Sequence, residues 1–139
     1  MKVVVDTNVL LVSLSKNSKF RPIFDALIAC EYELGVSTSI MLEYEEVFTK
    51  KNGSNHTAFI MKILEKLENL IFQEIHFNWH LIKSDPDDNI FSDCAVAFNA
   101  DYHIIHDADF NVLRKIDFPK IQVISATEFL EILKQSDPT

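Results

Sequence analysis

The chain has 139 residues, enough for one domain with a single core. Apolar residues make up 47% and charged residues 24%, with only 2 Gly and 4 Pro, which excludes collagen-like, disordered and Gly-loop-rich classes. Asp and Glu number 21 against 13 Lys and Arg, a formal net charge of −8. Alone, that imbalance argues against a general nucleic-acid binder, which usually carries a basic footprint.

In chain order, short β-branched runs alternate with segments of helical period. Residues 2–6 predict a buried strand, because Val3, Val4 and Val5 follow one another without polar alternation. Phe20, Ile23, Phe24, Leu27 and Ile28 then form a helical stripe. Residues 34–37 predict a second strand. Two helices follow, with stripes Ile40, Tyr44, Val47, Phe48 and Ile60, Ile63, Leu64, Leu67, separated at 51–55 by Lys-Asn-Gly-Ser-Asn. Residues 70–77 are a third strand, more polar and suited to an edge. Phe91, Cys94, Ala95 and Phe98 mark another helix. Strands at 103–106 and 122–124 come next. A last helix starts at Ser125, where Ser125 and Glu128 make a capping box ahead of Phe129, Leu130 and Leu133. The order β-α-β-α-α-β-α-β-α-β-α implies a three-layer α/β/α sandwich around a mostly parallel sheet. Residues 1–134 would form the domain and 135–139 a frayed tail.

Cys30 and Cys94 lie in apolar stretches with no CxxC or Cys/His cluster, so both read as small buried hydrophobes. Without a disulfide framework a reducing cytoplasm is the expected compartment. The start Met-Lys-Val-Val-Val-Asp is too short of apolar length for a signal peptide. No run approaches the ~20 apolar residues a spanning helix needs, so no membrane partner is expected.

In doubly wound sheets, ligands bind outside the carboxyl ends of the strands. Acidic residues collect there. Asp6 follows three valines, where an ionised carboxylate is costly to bury without compensation; capping the next segment, with Thr7 and Asn8 helping, is the plainer explanation. Glu43 stands at the edge of its helix's buried face, whereas Glu45 and Glu46 face outward and Glu46 can pair with Lys50. At 85–89, Asp-Pro-Asp-Asp-Asn combines an N-cap (Asp85), a first-turn proline and further acids. One cap and one dipole acid would suffice, so the repulsion among Asp85, Asp87 and Asp88 points to a cation. Asp107 ends the fourth strand, and Asp109 is placed to cap a short helix from Phe110. Asp6, Glu43, Asp88 and Asp107 thus follow strands one to four. All-carboxylate ligation selects Mg²⁺ or Mn²⁺, with Asp93 and Asp109 as additional candidate ligands, and no Cys/His spacing competes for zinc. Asp87, Asp88 and Asp93 compete for the third ligand position; Asp88, 19 positions before Asp107, is favoured.

Four segments in this order resemble the PIN domain, a family of metal-dependent ribonucleases: Val-Val-Val-Asp-Thr-Asn-Val (3–9), Val-Ser-Thr-Ser-Ile-Met-Leu-Glu-Tyr-Glu-Glu-Val-Phe (36–48), Asp-Pro-Asp-Asp-Asn-Ile-Phe-Ser-Asp-Cys-Ala (85–95) and Ala-Asp-Tyr-His-Ile-Ile-His-Asp-Ala-Asp-Phe (100–110). The resemblance covers essentially the whole chain and is strongest to single-domain bacterial and archaeal members assigned as toxins of toxin–antitoxin pairs, of the VapC kind. It implies a five-stranded parallel sheet of order 3-2-1-4-5. It puts the family's catalytic acids on Asp6, Glu43, Asp88 and Asp107, a further acid on Asp93, and supporting positions on Asn8 and Ser37. It also implies RNA as substrate, 5′-phosphate and 3′-hydroxyl products, an inhibitory antitoxin partner and a homodimer. His106 departs from the small or polar residue, commonly glycine, found there in relatives.

Lys16, Lys19 and Arg21, with Arg114 and Lys115, are the cations expected to flank the cleft and contact phosphates. The eleven Phe residues mostly fall on the stripes and read as core, and Trp79 lies outside any stripe. Three other readings compete. A haloacid-dehalogenase-like, Mg²⁺-dependent phosphatase needs a second Asp where Asn8 stands. A receiver domain needs a Lys at the end of the fifth strand, which here ends Val-Ile-Ser. A non-catalytic PIN scaffold binding RNA or protein would not need the acids. Two divalent cations would halve the formal net charge, so the −8 also fits a metal site without its metal.

Overall fold

The computed structural model describes residues 1–75, 86–109 and 122–136, with the side chains of 86–89, 109 and 136 outside the description. Five strands form one sheet: β1 (Lys2–Val5), β2 (Glu33–Val36), β3 (Leu70–Phe72), β4 (Tyr102–Ile105) and β5 (Val123–Ser125). Their order is β3-β2-β1-β4-β5 and every pairing is parallel. This is the order the family resemblance implied. Six helices are described: α1 (Thr7–Ser13), α2 (Arg21–Ile28), α3 (Thr38–Asn52), α4 (Ser54–Lys66), α5 (Pro86–Phe98) and α6 (Ala126–Ser136).

β1 is central because it can be buried on both faces. Val3, Val4 and Val5 are fully buried, as are Leu34 and Val36 beside them and Ile104 and Ile105 on the other side. Each such aliphatic side chain contributes about 1.5–3 kcal/mol by leaving water. Val3 pairs with Leu34 and Tyr102, Val4 with His103, and Val5 with Ile104. The short β3 lies at the sheet's edge, as its polar sequence suggested, and ends at Phe72 rather than at 77.

Each helix boundary has a local cause. Ser37 caps α3, its hydroxyl accepting from the Ile40 N–H at 3.2 Å. Gly53, at φ +86°, joins α3 to α4, a backbone region that favours glycine. Ser125 and Glu128 form the expected capping box at α6: the Ser125 hydroxyl accepts from the Glu128 N–H at 3.2 Å and the Ser125 N–H donates to the Glu128 carboxylate at 3.4 Å. α6 runs to Ser136, so positions 135 and 136 are helical.

Several expectations need correction. The first crossover holds two helices rather than one: α1 begins directly at Thr7, a seven-residue helix too short to show its period in sequence. Cys30 is exposed, not buried. It stands at φ +59° just past α2, where Glu31 N–H donates to Ala26 C=O and Cys30 N–H to Leu27 C=O. That left-handed turn ends the helix and carries Cys30 out of the core. Asn99 does the same after α5. Cys94 is buried as expected, and burial pushes its thiol up to about 12. Phe59 and Phe72 are exposed, so the aromatic inventory is not all core.

Gly35, buried in β2, faces Phe98 of α5 so closely that an added Cβ would stand 2.3 Å from the ring. Gly35→Ala should therefore destabilise the domain by about 1–3 kcal/mol, the usual cost of overpacking. Urea unfolding checks this; an unchanged midpoint would show that α5 can move away freely.

Candidate metal centre

The site begins where β1 leaves the core. Asp6 occupies the N-cap position of α1, but its side chain makes no capping bond. Its backbone N–H donates to the Ile104 carbonyl at 3.0 Å, which extends the β1–β4 pairing one residue past the strand. Its carboxylate Oδ1 lies 2.6 Å from Nε2 of His103, a residue only 1% exposed in the middle of β4. Among the described residues no hydrogen bond reaches Asp6 Oδ2. Asp6 is half-buried at the strand end, with Oδ1 held from inside by His103.

Glu43 is brought to the same end by α3. Tyr44, next to it, is fully buried and its hydroxyl donates to the Val5 carbonyl at 2.5 Å, which fixes α3 over the end of β1. Burial pushes the Tyr44 phenol well above its usual range, and Asp6 and Glu43 add to that rise, so both carboxylates lie within electrostatic reach of it. The buried Thr7 hydroxyl donates to Glu43 Oε2. Glu45 and Glu46 are exposed, and Glu46 pairs with Lys50 at 3.2 Å, as the helix spacing predicted.

α5 supplies the next wall. Phe91 stacks on His103 with ring centroids 6.5 Å apart and also meets Tyr44 at 6.1 Å. Position 88 precedes Phe91 by three, one turn nearer the start of α5. The side chains of Asp87 and Asp88 lie outside the described residues. Asp93 is 5% exposed and engaged in an interaction of its own.

Asp107 follows β4 in a 3-10 turn, Asp107–Asp109. Its carboxylate accepts from the Thr127 hydroxyl at 2.7 Å and from the Thr127 N–H at 3.3 Å, at the start of α6. Slight desolvation would raise its pKa; the two Thr127 bonds, helped by His106 and Lys19, outweigh this and hold it below the usual carboxylate range. His106 is exposed, and its Nδ1 accepts from the Ala108 N–H at 3.1 Å.

The structure thus links Asp6 and Glu43 through Thr7 and leaves Asp107 turned toward α6. Among the described residues no group of three or more His, Cys, Asp or Glu side chains is assembled to hold a metal. What Asp6 and Glu43 offer are carboxylate oxygens, which fit a hard divalent cation rather than zinc or copper. Asn8 is exposed on α1, and Ser37 is engaged as the α3 cap. Lys16 and Lys19 are exposed. Arg21 is used within the chain: its Nε donates to Asp25 at 2.9 Å, another nitrogen to the Leu14 carbonyl at 2.6 Å, and its guanidinium lies over Phe24. Arg114, Lys115, Trp79, Asp85 and the helix expected from Phe110 fall outside the described residues, as does the Asp109 side chain.

Sequence reasoning missed His103 and Thr127 as partners of the acids. His103 sat unremarked in a β-branched run, and Thr127 is 20 residues from Asp107.

A sequence model of the PIN domain matches residues 2–109, and the chain belongs to that family. Its fold is similar to a chain of VapBC2 from Rickettsia felis, solved bound to a DNA fragment from their promoter, with a TM-score of 0.62 and 14% identity over 90% of this chain and 98% of that one. It is also similar to a chain of DNA-bound VapBC from Salmonella typhimurium, with a TM-score of 0.61 and 12% identity over 91% of this chain and 98% of that one. At such identities the likeness is one of fold. No curated protein matches the chain.

Because Asp107 has a lowered folded pKa, its ionised form stabilises the fold above its unfolded pKa, and that contribution is lost as pH falls through the folded value. Thr127→Val should move the Asp107 midpoint upward, so the contribution shrinks and its loss is complete at higher pH; the effect is small because the group is exposed. Carbon-detected titration of the Asp107 carboxyl reads this directly, and an unmoved midpoint would contradict the assignment.

Proposed function

We propose that the chain is an endoribonuclease hydrolysing RNA phosphodiesters with carboxylate-held Mg²⁺ or Mn²⁺, and that it is the toxin component of a toxin–antitoxin pair. One observation carries the catalytic reading: Asp6 emerges from the buried central strand with Oδ1 held by His103, and the next residue, Thr7, ties in Glu43 through its hydroxyl. Asp6, Glu43 and Asp88 would hold the cation, with Asp107 and Asp93 able to complete the set. Bound there, a divalent cation supplies Lewis acidity, activating a water and offsetting charge on the phosphate. The chain's own part is to hold the carboxylates in place before substrate arrives and to orient the RNA.

Lys19 supports the RNA part of this reading. It is exposed and its charge helps to lower the Asp107 pKa. With Lys16 it would take up phosphates, whereas Arg21 has its internal duties. The antitoxin part is supported by likeness to chains of VapBC assemblies and by the exposed apolar side chains Leu42 on α3 and Phe59 on α4, each 63% exposed. A homodimer and a cytoplasmic location belong to the same proposal. No helix among the described residues is long and apolar enough to cross a membrane.

Asp6→Asn and Asp88→Asn, assayed separately on RNA with Mg²⁺ or Mn²⁺, should each lower cleavage by more than about 100-fold, beyond what loss of an outer-shell partner typically costs. Undiminished cleavage by both variants would refute the catalytic reading, and metal-independent RNA binding without cleavage would favour a scaffold.

A further inference from the structure

His103 is out of character for its position. β4 reads Tyr-His-Ile-Ile, and His103 lies between the sheet and Phe91 of α5, 1% exposed. Its neighbours in the parallel register are Val4 on β1 and Val123 on β5. Its Nδ1 is buried without a hydrogen-bond partner among the described residues. Burying an imidazole there, with one ring nitrogen unsatisfied, costs free energy that an apolar residue of similar size would not. Core packing alone therefore does not explain a histidine at this position.

Among the described residues the ring's hydrogen bond is made by the other nitrogen. With Nε2 carrying the hydrogen, it donates to Asp6 Oδ1 at 2.6 Å, and the orphaned Nδ1 is then an acceptor rather than the costlier orphaned donor. The ring is packed in the core, 1% exposed and with Phe91 stacked nearly parallel to it, 15° between planes. A rigid donor from the core thus meets a carboxylate whose own helix gives it no capping bond. The bond fixes the Asp6 carboxylate where β1 leaves the core.

We propose that His103 is a positioning residue for cation binding: through Nε2 it fixes the Asp6 carboxylate at the carboxyl edge of the sheet. This rests on the reading of Asp6 as a metal ligand. The role is that of an outer-shell partner, which typically alters metal affinity 10–100-fold when removed.

The test compares Mn²⁺ binding, followed by the electron paramagnetic resonance signal of free Mn²⁺, in the wild-type chain, H103L, H103Q and D6N, with thermal unfolding of each. H103L should bind Mn²⁺ about 10-fold or more weakly at temperatures where it is fully folded, and it should melt lower than the wild type because Asp6 loses its partner. A merely structural role would lower the melting temperature and leave the Mn²⁺ affinity of the folded variant unchanged. H103Q, which keeps a donor, should recover affinity to within a few-fold of the wild type. Mn²⁺ affinity of folded H103L within twofold of wild type, alongside a weakened D6N, would overturn the positioning role and leave the metal site standing. Equal binding by D6N and wild type would instead remove Asp6 as a ligand, and both readings would fall. Should H103L fail to fold, nitrogen NMR of the wild-type imidazole decides: the His103 Nε2 resonance should shift along a Mg²⁺ titration, and an unmoved resonance at saturating Mg²⁺ would overturn the proposal.

Discussion

An ionisable carboxylate at the end of a fully buried strand is the constraint on which this molecule depends. Val3, Val4 and Val5 commit β1 to the centre of the sheet, and the chain must then leave the core through Asp6. A charge at that point needs compensation. The compensation comes from the neighbouring strand, where His103 holds one oxygen at 2.6 Å. Around this contact the local structure is consistent: Tyr44 fixes α3 through the Val5 carbonyl, Thr7 ties Glu43 to the start of α1, and Phe91 closes over His103 from α5. Parallel pairing brings these elements out at one edge, where doubly wound sheets bind ligands.

Much of the fold was legible because its signals are local. Consecutive valines marked the buried strand, the 51–55 break marked the α3–α4 turn, and Ser125 with Glu128 marked the last cap. Strand order came from the family resemblance rather than from periodicity. What failed had a physical cause in each case. α1 is two turns long, too short for its stripe to stand out. Cys30 sits in an apolar run, yet the left-handed turn ending α2 exposes it.

The site was legible where position decided chemistry and obscure where a distant partner did. Asp6 and Glu43 followed from their places after buried strands. Capping, the plainer explanation of Asp6, is not how its side chain is used. His103 looked like one more residue of a strand, because sequence period cannot show that its ring meets a carboxylate 97 residues away. Asp107 was placed at the end of β4, but its bonds to Thr127 depend on how α6 returns to the sheet.

The central claim is that the carboxyl edge of the sheet holds a divalent cation on Asp6 and Glu43. Paramagnetic broadening by Mn²⁺ in the amide NMR spectrum tests it most directly. The account predicts broadening concentrated at Asp6, Thr7 and Glu43, with Lys2, Glu33 and Asp101 at the opposite edge spared. Broadening centred on that opposite edge, or spread evenly over the exposed acids, would contradict it.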